Sequence, residues 1–215
     1  MTKKGFIFDL DGVIVDTAKY HYVAWKALAD QLGFAFTKRH NELLKGVSRT
    51  RSLEILLTIG NIEASEEQKA YWMEAKNMEY LRYIEKMTAE EILPDVPKVL
   101  QYLKENEYPI ALGSASKNAS HILDKVGLLD DFDALVDGTH VSKAKPDPEV
   151  FLIGARELGL RPSDCIVFED ALAGVQAAKA AGMIAIGIGD KETLSEADYV
   201  FNDFTEIDTK FLSSL

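Results

Sequence analysis

The chain has 215 residues, 47% of them hydrophobic, with 24 basic and 35 acidic side chains and a formal net charge of −11. That length suits one large domain or a domain carrying an insertion, with enough residues to bury a substantial core. The acidic balance argues against non-specific nucleic-acid binding, which depends on basic patches; no apolar run approaches membrane-spanning length; and a lone cysteine, Cys165, excludes an intramolecular disulfide.

The first predicted element is an apolar strand over 6–10 that runs into Asp9-Leu10-Asp11-Gly12. Residues two apart on a strand share a face, so Asp9 and Asp11 are expected to project together from its carboxyl end. Open α/β sheets hold their ligands there. Two like charges that close are costly unless a cation or a proton separates them. Mg²⁺ against one carboxylate, with the other handling a proton, satisfies that condition and makes phosphate a natural substrate. The plain alternative is a strand ending in a polar turn. A calcium loop does not fit, because it needs a third acidic ligand before its glycine, and apolar Val13-Ile14-Val15 follows Gly12 here. Lys3 and Lys4 lead straight into this strand without a leader pattern, and the expected setting is the cytoplasm.

From 16 to 92 the texture changes. The stretch has no convincing strand, and apolar spacing predicts helices over 17–32, 51–59 and 66–85. It reads as a small helical cap domain, residues 16–92, inserted into a core formed by 1–15 and 93–215. Pro94 and Pro97 mark the return to the core. Beyond them, short apolar runs at 110–113, 134–136, 166–168, 184–188 and 199–201 predict strands covered on both faces. Helices are expected over 95–106, 118–126, 148–158 and 171–181, with Gly127, Gly159 and Gly182 as stops. The alternation specifies a doubly wound, mostly parallel α/β sheet. No repeat is visible, and the tail after Asp203 carries no signal.

Three later strand ends also carry polar groups. Gly113-Ser114-Ala115-Ser116-Lys117-Asn118 precedes a helix whose backbone N–H groups could cradle phosphate; by itself the segment reads as well as a common Ser/Asn cap. It lacks the Gly-x-Ser-x-Gly spacing of a serine nucleophile, so Ser114 is read as a ligand rather than an attacker. Lys145 stands before a proline-opened helix and could neutralise a transferring phosphoryl group, unless it is an ordinary solvated lysine. Glu169-Asp170 ends a buried strand and could complete an oxygen shell for Mg²⁺, unless Asp170 merely caps the next helix. Any anion site must supply positive charge locally, because the overall field repels anions.

Asp, Asp, Ser, Lys, Glu and Asp at successive strand ends, in that order, resemble the haloacid dehalogenase superfamily across essentially the whole chain. The resemblance implies a Rossmann-like core with Asp9 as nucleophile and Asp11 as general acid/base. Ser114 and Lys145 would hold the phosphoryl group. Asp9, the backbone carbonyl of Asp11, Glu169 and Asp170 would bind one Mg²⁺ per subunit. An Asp at the second position of the pair points to phosphoryl transfer rather than dehalogenation. Crowding by other acids is expected to favour a protonated Asp11.

The inserted segment resembles a sugar phosphomutase branch of that superfamily. The matching elements are Asp16-Thr17-Ala18, His21, Ala24-Trp25-Lys26, Leu44-Lys45-Gly46-Val47-Ser48-Arg49, Ser52 and Lys76, with Ser114-Ala115-Ser116-Lys117-Asn118 in the core. By this resemblance the substrate-binding set is His21, Trp25, Lys45, Gly46, Val47, Ser48, Arg49, Ser52, Lys76, Ala115, Ser116, Lys117 and Asn118. Phospho-Asp9 would convert β-glucose 1-phosphate into the 1,6-bisphosphate, which also primes the enzyme, and release glucose 6-phosphate. Arg49 is expected in a compact glycine-containing loop, and His21 with Lys76 is expected to position Asp11. The alternative is a phosphatase for small sugar phosphates; a catalytically silent binding protein is disfavoured by the intact set of acids and lysine. A monomer acting on a small sugar phosphate, without nucleic acid or membrane, is expected. Asp95, and Leu112-Gly113 before Ser114, depart from the residues frequent in relatives without removing a proposed functional group.

Overall fold

Six short apolar runs form one sheet in the computed structural model, which describes residues 4–215. The strands are β1 (Gly5–Phe8), β2 (Ile110–Gly113), β3 (Ala134–Val136), β4 (Cys165–Glu169), β5 (Ile184–Ile188) and β6 (Tyr199–Phe201), in the order β3-β2-β1-β4-β5-β6. All five pairings are parallel, with Phe8 in register with Leu112 on one side and Phe168 on the other. Period two divides β1 between two cores: Phe6 and Phe8 join one, with Leu112 and Phe168, and Ile7 joins the other, with Ala111 and Val167. The central position of β1 brings the chain into the crevice where the strand order reverses, the usual ligand position of such sheets.

Helices α1 (Ala18–Gln31), α2 (Lys38–Glu42), α3 (Arg49–Gly60) and α4 (Glu66–Ile84) lie between β1 and β2 in sequence. Trp25, Leu28, Phe36, Leu53, Leu56 and Leu57 give this block an apolar core of its own. The sequence reading missed α2, a single turn made by a capping box in which Thr37 and His40 exchange side-chain and backbone bonds. Ser65 and Gln68 start α4 in the same way. The chain leaves and re-enters the sheet region through two adjacent crossings: Val15 bridges Ile92, and the Leu93 N–H donates to the Ile14 carbonyl at 3.0 Å.

Helices α5 (Val96–Glu105), α6 (Ala119–Val126), α7 (Glu149–Glu157) and α8 (Leu172–Ala180) bury apolar stripes against the sheet, and a terminal turn, α9 (Thr209–Ser214), lies in the tail that carried no signal. Asp95 stands at the N-cap position of α5 without a side-chain capping bond, at φ +59°, a left-handed conformation that explains why a glycine is at home there. Among the described residues no helix is long and apolar enough to cross a membrane.

Candidate active site

Asp9 follows β1 directly and is buried. Lys145, reaching in from the loop before α7, donates to Asp9 Oδ1 at 2.6 Å, to Glu169 Oε1 at 2.5 Å and to the Gly113 carbonyl at 3.0 Å. Glu169 ends β4, and its second oxygen accepts the Ala171 N–H at 2.8 Å. Two glycines make room for these acids. A Cβ at Gly174 would overlap the Glu169 carboxylate, and Gly12, at φ +86°, would carry its Cβ onto Asp170.

One carboxylate oxygen each from Asp9, Glu169 and Asp170 lies within 4.8 Å of the other two. Burial holds Asp9 up at about 7; Lys145 opposes the rise, and Glu169 and Asp11 add to it. Burial and Glu169 hold Asp170 well above the usual carboxylate range, against Lys45. Three carboxylates face the buried Lys145, with Lys45 reaching only Asp170, and a divalent cation would offset the negative charge that remains. An all-oxygen donor set suits a hard ion such as Mg²⁺, so the residues present fit it.

Strand β1 stops at Phe8, so the two-residue repeat does not extend to Asp11. The expectation that both carboxylates share one strand face is corrected accordingly: Asp11 takes partners of its own. Its Oδ1 accepts from the Thr17 hydroxyl and, at 3.4 Å, from the Tyr80 hydroxyl, and lies 3.6 Å from His21 Nε2. Burial pushes the Asp11 carboxyl up, but His21 and Thr17 together outweigh it and leave the group below its usual range. The expectation that crowding by other acids favours a protonated Asp11 is therefore also corrected.

Behind Asp11, the His21 ring stacks on Tyr80 at 4.1 Å, and its Nδ1 lies 2.8 Å from Lys76 Nζ. Lys76 sits between the faces of Trp25 and Tyr80, 4.7 and 4.8 Å from their centroids. Burial, with Arg49 adding and Asp11 opposing, brings Lys76 down to about 7. Burial and Lys76 likewise lower His21, against Asp11.

The helical block roofs this floor to enclose a cavity of about 610 Å³. Lys45, Gly46 and Val47 turn over it, and Ser48 caps α3 by accepting the Arg51 N–H at 3.2 Å. Arg49 is therefore the first residue of α3, which corrects the expectation that it lies in the compact glycine-containing loop. Gly46, at φ +70°, touches the core: a Cβ there would stand 2.9 Å from Ala171 Cβ. The Ser52 hydroxyl donates to the Leu44 carbonyl at 3.5 Å and steadies the turn. After β2, Ser114 Oγ accepts the Ser116 N–H at 3.1 Å, and Ser116 Oγ accepts the Asn118 N–H at 3.2 Å. Ala115 and Lys117 complete that wall.

Every residue of the expected catalytic, metal and substrate-binding sets borders the cavity except Glu169, which is buried behind Lys145. The sequence reading missed Tyr80 and Asn77. Tyr80 is four residues beyond Lys76 on one face of α4, a spacing that could have revealed it. Asn77 accepts the Asn118 side-chain amide at 3.3 Å and so links α4 to the loop after β2; nothing local marks it.

The model of the haloacid dehalogenase-like hydrolases matches residues 3–182. The chain is 43% identical over 211 residues to β-phosphoglucomutase of Bacillus subtilis, covering 97% of this chain and 93% of that protein. It is 33% identical over 184 residues to a fructose-1-phosphate phosphatase of Escherichia coli, covering 86% and 95%. The crystal structure of β-phosphoglucomutase from Clostridium difficile superposes with a TM-score of 0.94 at 40% identity, covering 99% of this chain and 96% of that one. By family model, sequence and architecture alike, the chain is an enzyme that belongs to the haloacid dehalogenase-like hydrolase family.

Proposed function

We propose that the chain interconverts β-D-glucose 1-phosphate and β-D-glucose 6-phosphate through an aspartyl-phosphate and a β-glucose 1,6-bisphosphate intermediate. One observation carries the reading beyond phosphate chemistry in general: besides Lys145 beside Asp9 in the floor, the cavity carries cations away from Asp9, among them Arg49 in the roof and Lys117 in the wall. A phosphatase acting on a monophosphate needs only the first. The likeness to β-phosphoglucomutases supports the same reading.

The cycle starts from phospho-Asp9. Asp11, whose affinity for a proton His21 and Thr17 lower, accepts the proton of the sugar 6-hydroxyl as that oxygen attacks phosphorus and the Asp9–phosphorus bond breaks. The bisphosphate turns over in the cavity. Asp9 then attacks the 1-phosphate, the bond from phosphorus to the anomeric oxygen breaks, and that oxygen takes the proton back from Asp11. Ser114, Lys145 and the backbone after β2 hold the equatorial oxygens. Arg49, Ser116, Lys117 and Asn118 hold the second phosphate. Lys45, Gly46, Val47, Ser48, Ser52 and Trp25 shape the sugar's pocket, and His21 and Lys76 position Asp11. One Mg²⁺ per chain, held by Asp9, Glu169, Asp170 and the Asp11 carbonyl, offsets charge on the transferring group when bound.

We assign residues 1–15 and 93–215 to a core and 16–92 to a cap whose closure keeps water from phospho-Asp9. We take the protein to be a cytoplasmic monomer primed by β-glucose 1,6-bisphosphate, working without nucleic acid or membrane. A coupled assay tests the function. β-Glucose 1-phosphate with Mg²⁺ and a trace of the bisphosphate is expected to give glucose 6-phosphate and little free phosphate, and the α-anomer is expected to give neither. Free phosphate without glucose 6-phosphate would make the chain a sugar-phosphate phosphatase.

A further inference from the structure

Thr17 is the N-cap residue of α1, yet its side chain makes no capping bond. Its hydroxyl goes to Asp11 instead. Thr17 also has helical backbone angles, φ −93° and ψ −12°, where a capping residue is usually extended. The first turn of α1 thus lacks its usual local anchor, although it carries both Thr17 and His21, two of the groups that touch Asp11.

An anchor comes from 71 or more residues away in sequence. Glu91, in the 3₁₀ turn Ala89–Glu91 on the returning crossing, accepts from Lys19 Nζ at 2.6 Å and from the Tyr20 hydroxyl at 2.7 Å, one donor on each oxygen. Its own carbonyl accepts the Asp16 N–H at 2.8 Å. Tyr20 also stacks on Tyr83 at 5.3 Å, close to parallel. Lys19 and Tyr20 lie between Thr17 and His21, and the Tyr20 and His21 N–H groups both donate to the Thr17 carbonyl, at 3.0 and 3.2 Å. Fixing residues 19 and 20 therefore fixes the direction of the Thr17 hydroxyl and the His21 ring. Glu91 itself does not border the cavity.

We propose that Glu91 is a positioning residue for the general acid/base Asp11, holding the first turn of α1 so that Thr17 and His21 meet its carboxylate. The inference rests on the phosphotransferase reading above. An exposed ion pair between Glu91 and Lys19 alone would contribute little. Two charge-assisted bonds from adjacent residues, plus the backbone bond, set an orientation that neither gives alone.

Two phosphoryl donors separate this role from a general structural one. With acetyl phosphate, Asp9 Oδ bonds to phosphorus and acetate leaves with the electron pair, needing no proton. With β-glucose 1,6-bisphosphate, the leaving sugar oxygen needs a proton, which Asp11 takes up from solvent before the transfer and passes to that oxygen. Rates of acyl-phosphate formation at Asp9 are measured with both donors at saturating Mg²⁺. Glu91→Ala is expected to slow the bisphosphate reaction about tenfold, the scale of a small misplacement of an acid/base group, and to leave the acetyl phosphate reaction within about twofold. Tyr20→Phe keeps the ring on Tyr83 and loses one bond; it is expected to give a loss of about threefold with the same donor selectivity. Equal losses with both donors, or none with either, would overturn the proposal. If the unaltered protein releases free phosphate in place of glucose 6-phosphate, the mutase reading fails by itself, and the donor ratio still reads the role of Glu91.

Discussion

Lys45 Nζ, on the turn leading into α3, lies 3.6 Å from Asp170 Oδ2, which follows β4, so that the helical block contributes a cation to the acid cluster of the sheet. The pairing is partial. Lys45 also binds Glu42 at 3.0 Å, and burial still holds Asp170 well above its usual range. The cluster is thus left with more negative charge than its own lysines neutralise.

Mg²⁺ is therefore expected to stabilise the fold as well as serve catalysis. An ion present at a hundredfold excess over its Kd adds about 2.7 kcal/mol, which in a chain of this size raises the thermal midpoint by several degrees. Chelation should reverse the shift and abolish turnover. Asp170→Asn should erase most of the shift, and calorimetry of both proteins with and without Mg²⁺ checks it. An equal rise in the variant would remove Asp170 from the metal site.

Lys145 has three partners and is almost wholly buried. Asp9 and Glu169 keep its ammonium above the ordinary lysine range even though burial works against the charge. Lys145→Ala leaves two buried carboxylates without their shared cation, a change that costs about 3–5 kcal/mol. Urea unfolding should show that loss, and no acyl-phosphate should form at Asp9. Excess Mg²⁺ should restore part of the stability and none of the activity.

Lys76 makes stability depend on pH in a particular direction. Its folded value is about 7, below the ordinary lysine value. Between the two, the unfolded chain binds a proton that the folded chain does not, so stability rises with pH through that window. Below about pH 7 the full cost of burying the charge is present. Lys76→Met removes the slope: the difference in unfolding free energy between the two proteins should narrow by on the order of 3 kcal/mol from pH 6.5 to pH 9.5. Chemical denaturation at the two pH values reads it, and parallel pH dependence would show that Lys76 is not held down.

Arg49 tests the second grip. Burial lowers its affinity for a proton, with Glu74 opposing, so it faces the cavity with its charge only partly compensated. Arg49→Ala should raise KM for β-glucose 1-phosphate and for the bisphosphate by about 10- to 100-fold, the value of a charge-assisted bidentate contact. Formation of acyl-phosphate from acetyl phosphate should be unchanged. Unchanged sugar-phosphate kinetics would show that the roof does not hold the second phosphate.

Much of this molecule is legible without coordinates because its signals are local. Apolar runs of four or five residues ending in Asp9, Gly113 and Glu169 declare buried parallel strands, since only a two-sided core accepts them. The wide interval between β1 and β2, rich in helix formers, declares an insertion. Acids and a lysine at strand ends point to a ligand site, because such sheets collect their ligands at that edge. Short elements were less readable. The single turn α2 depends on a capping box between Thr37 and His40, and α9 in the tail is six residues long.

Tertiary structure alone decided the state of Asp11. Sequence places it two residues from Asp9 and suggests a shared face and a protonated carboxyl. Folding brings Thr17, His21 and Tyr80 onto its carboxylate, because α1 and α4 meet over the end of β1, and His21 and Thr17 lower its affinity for a proton. The same holds for Glu91, whose two donors lie more than seventy residues earlier, and for Lys45 beside Asp170. Residue types and spacing determine which chemistry is present. Which groups share a charge depends on distances of a few ångströms between elements remote in sequence, because hydrogen bonds and desolvation act only at that range.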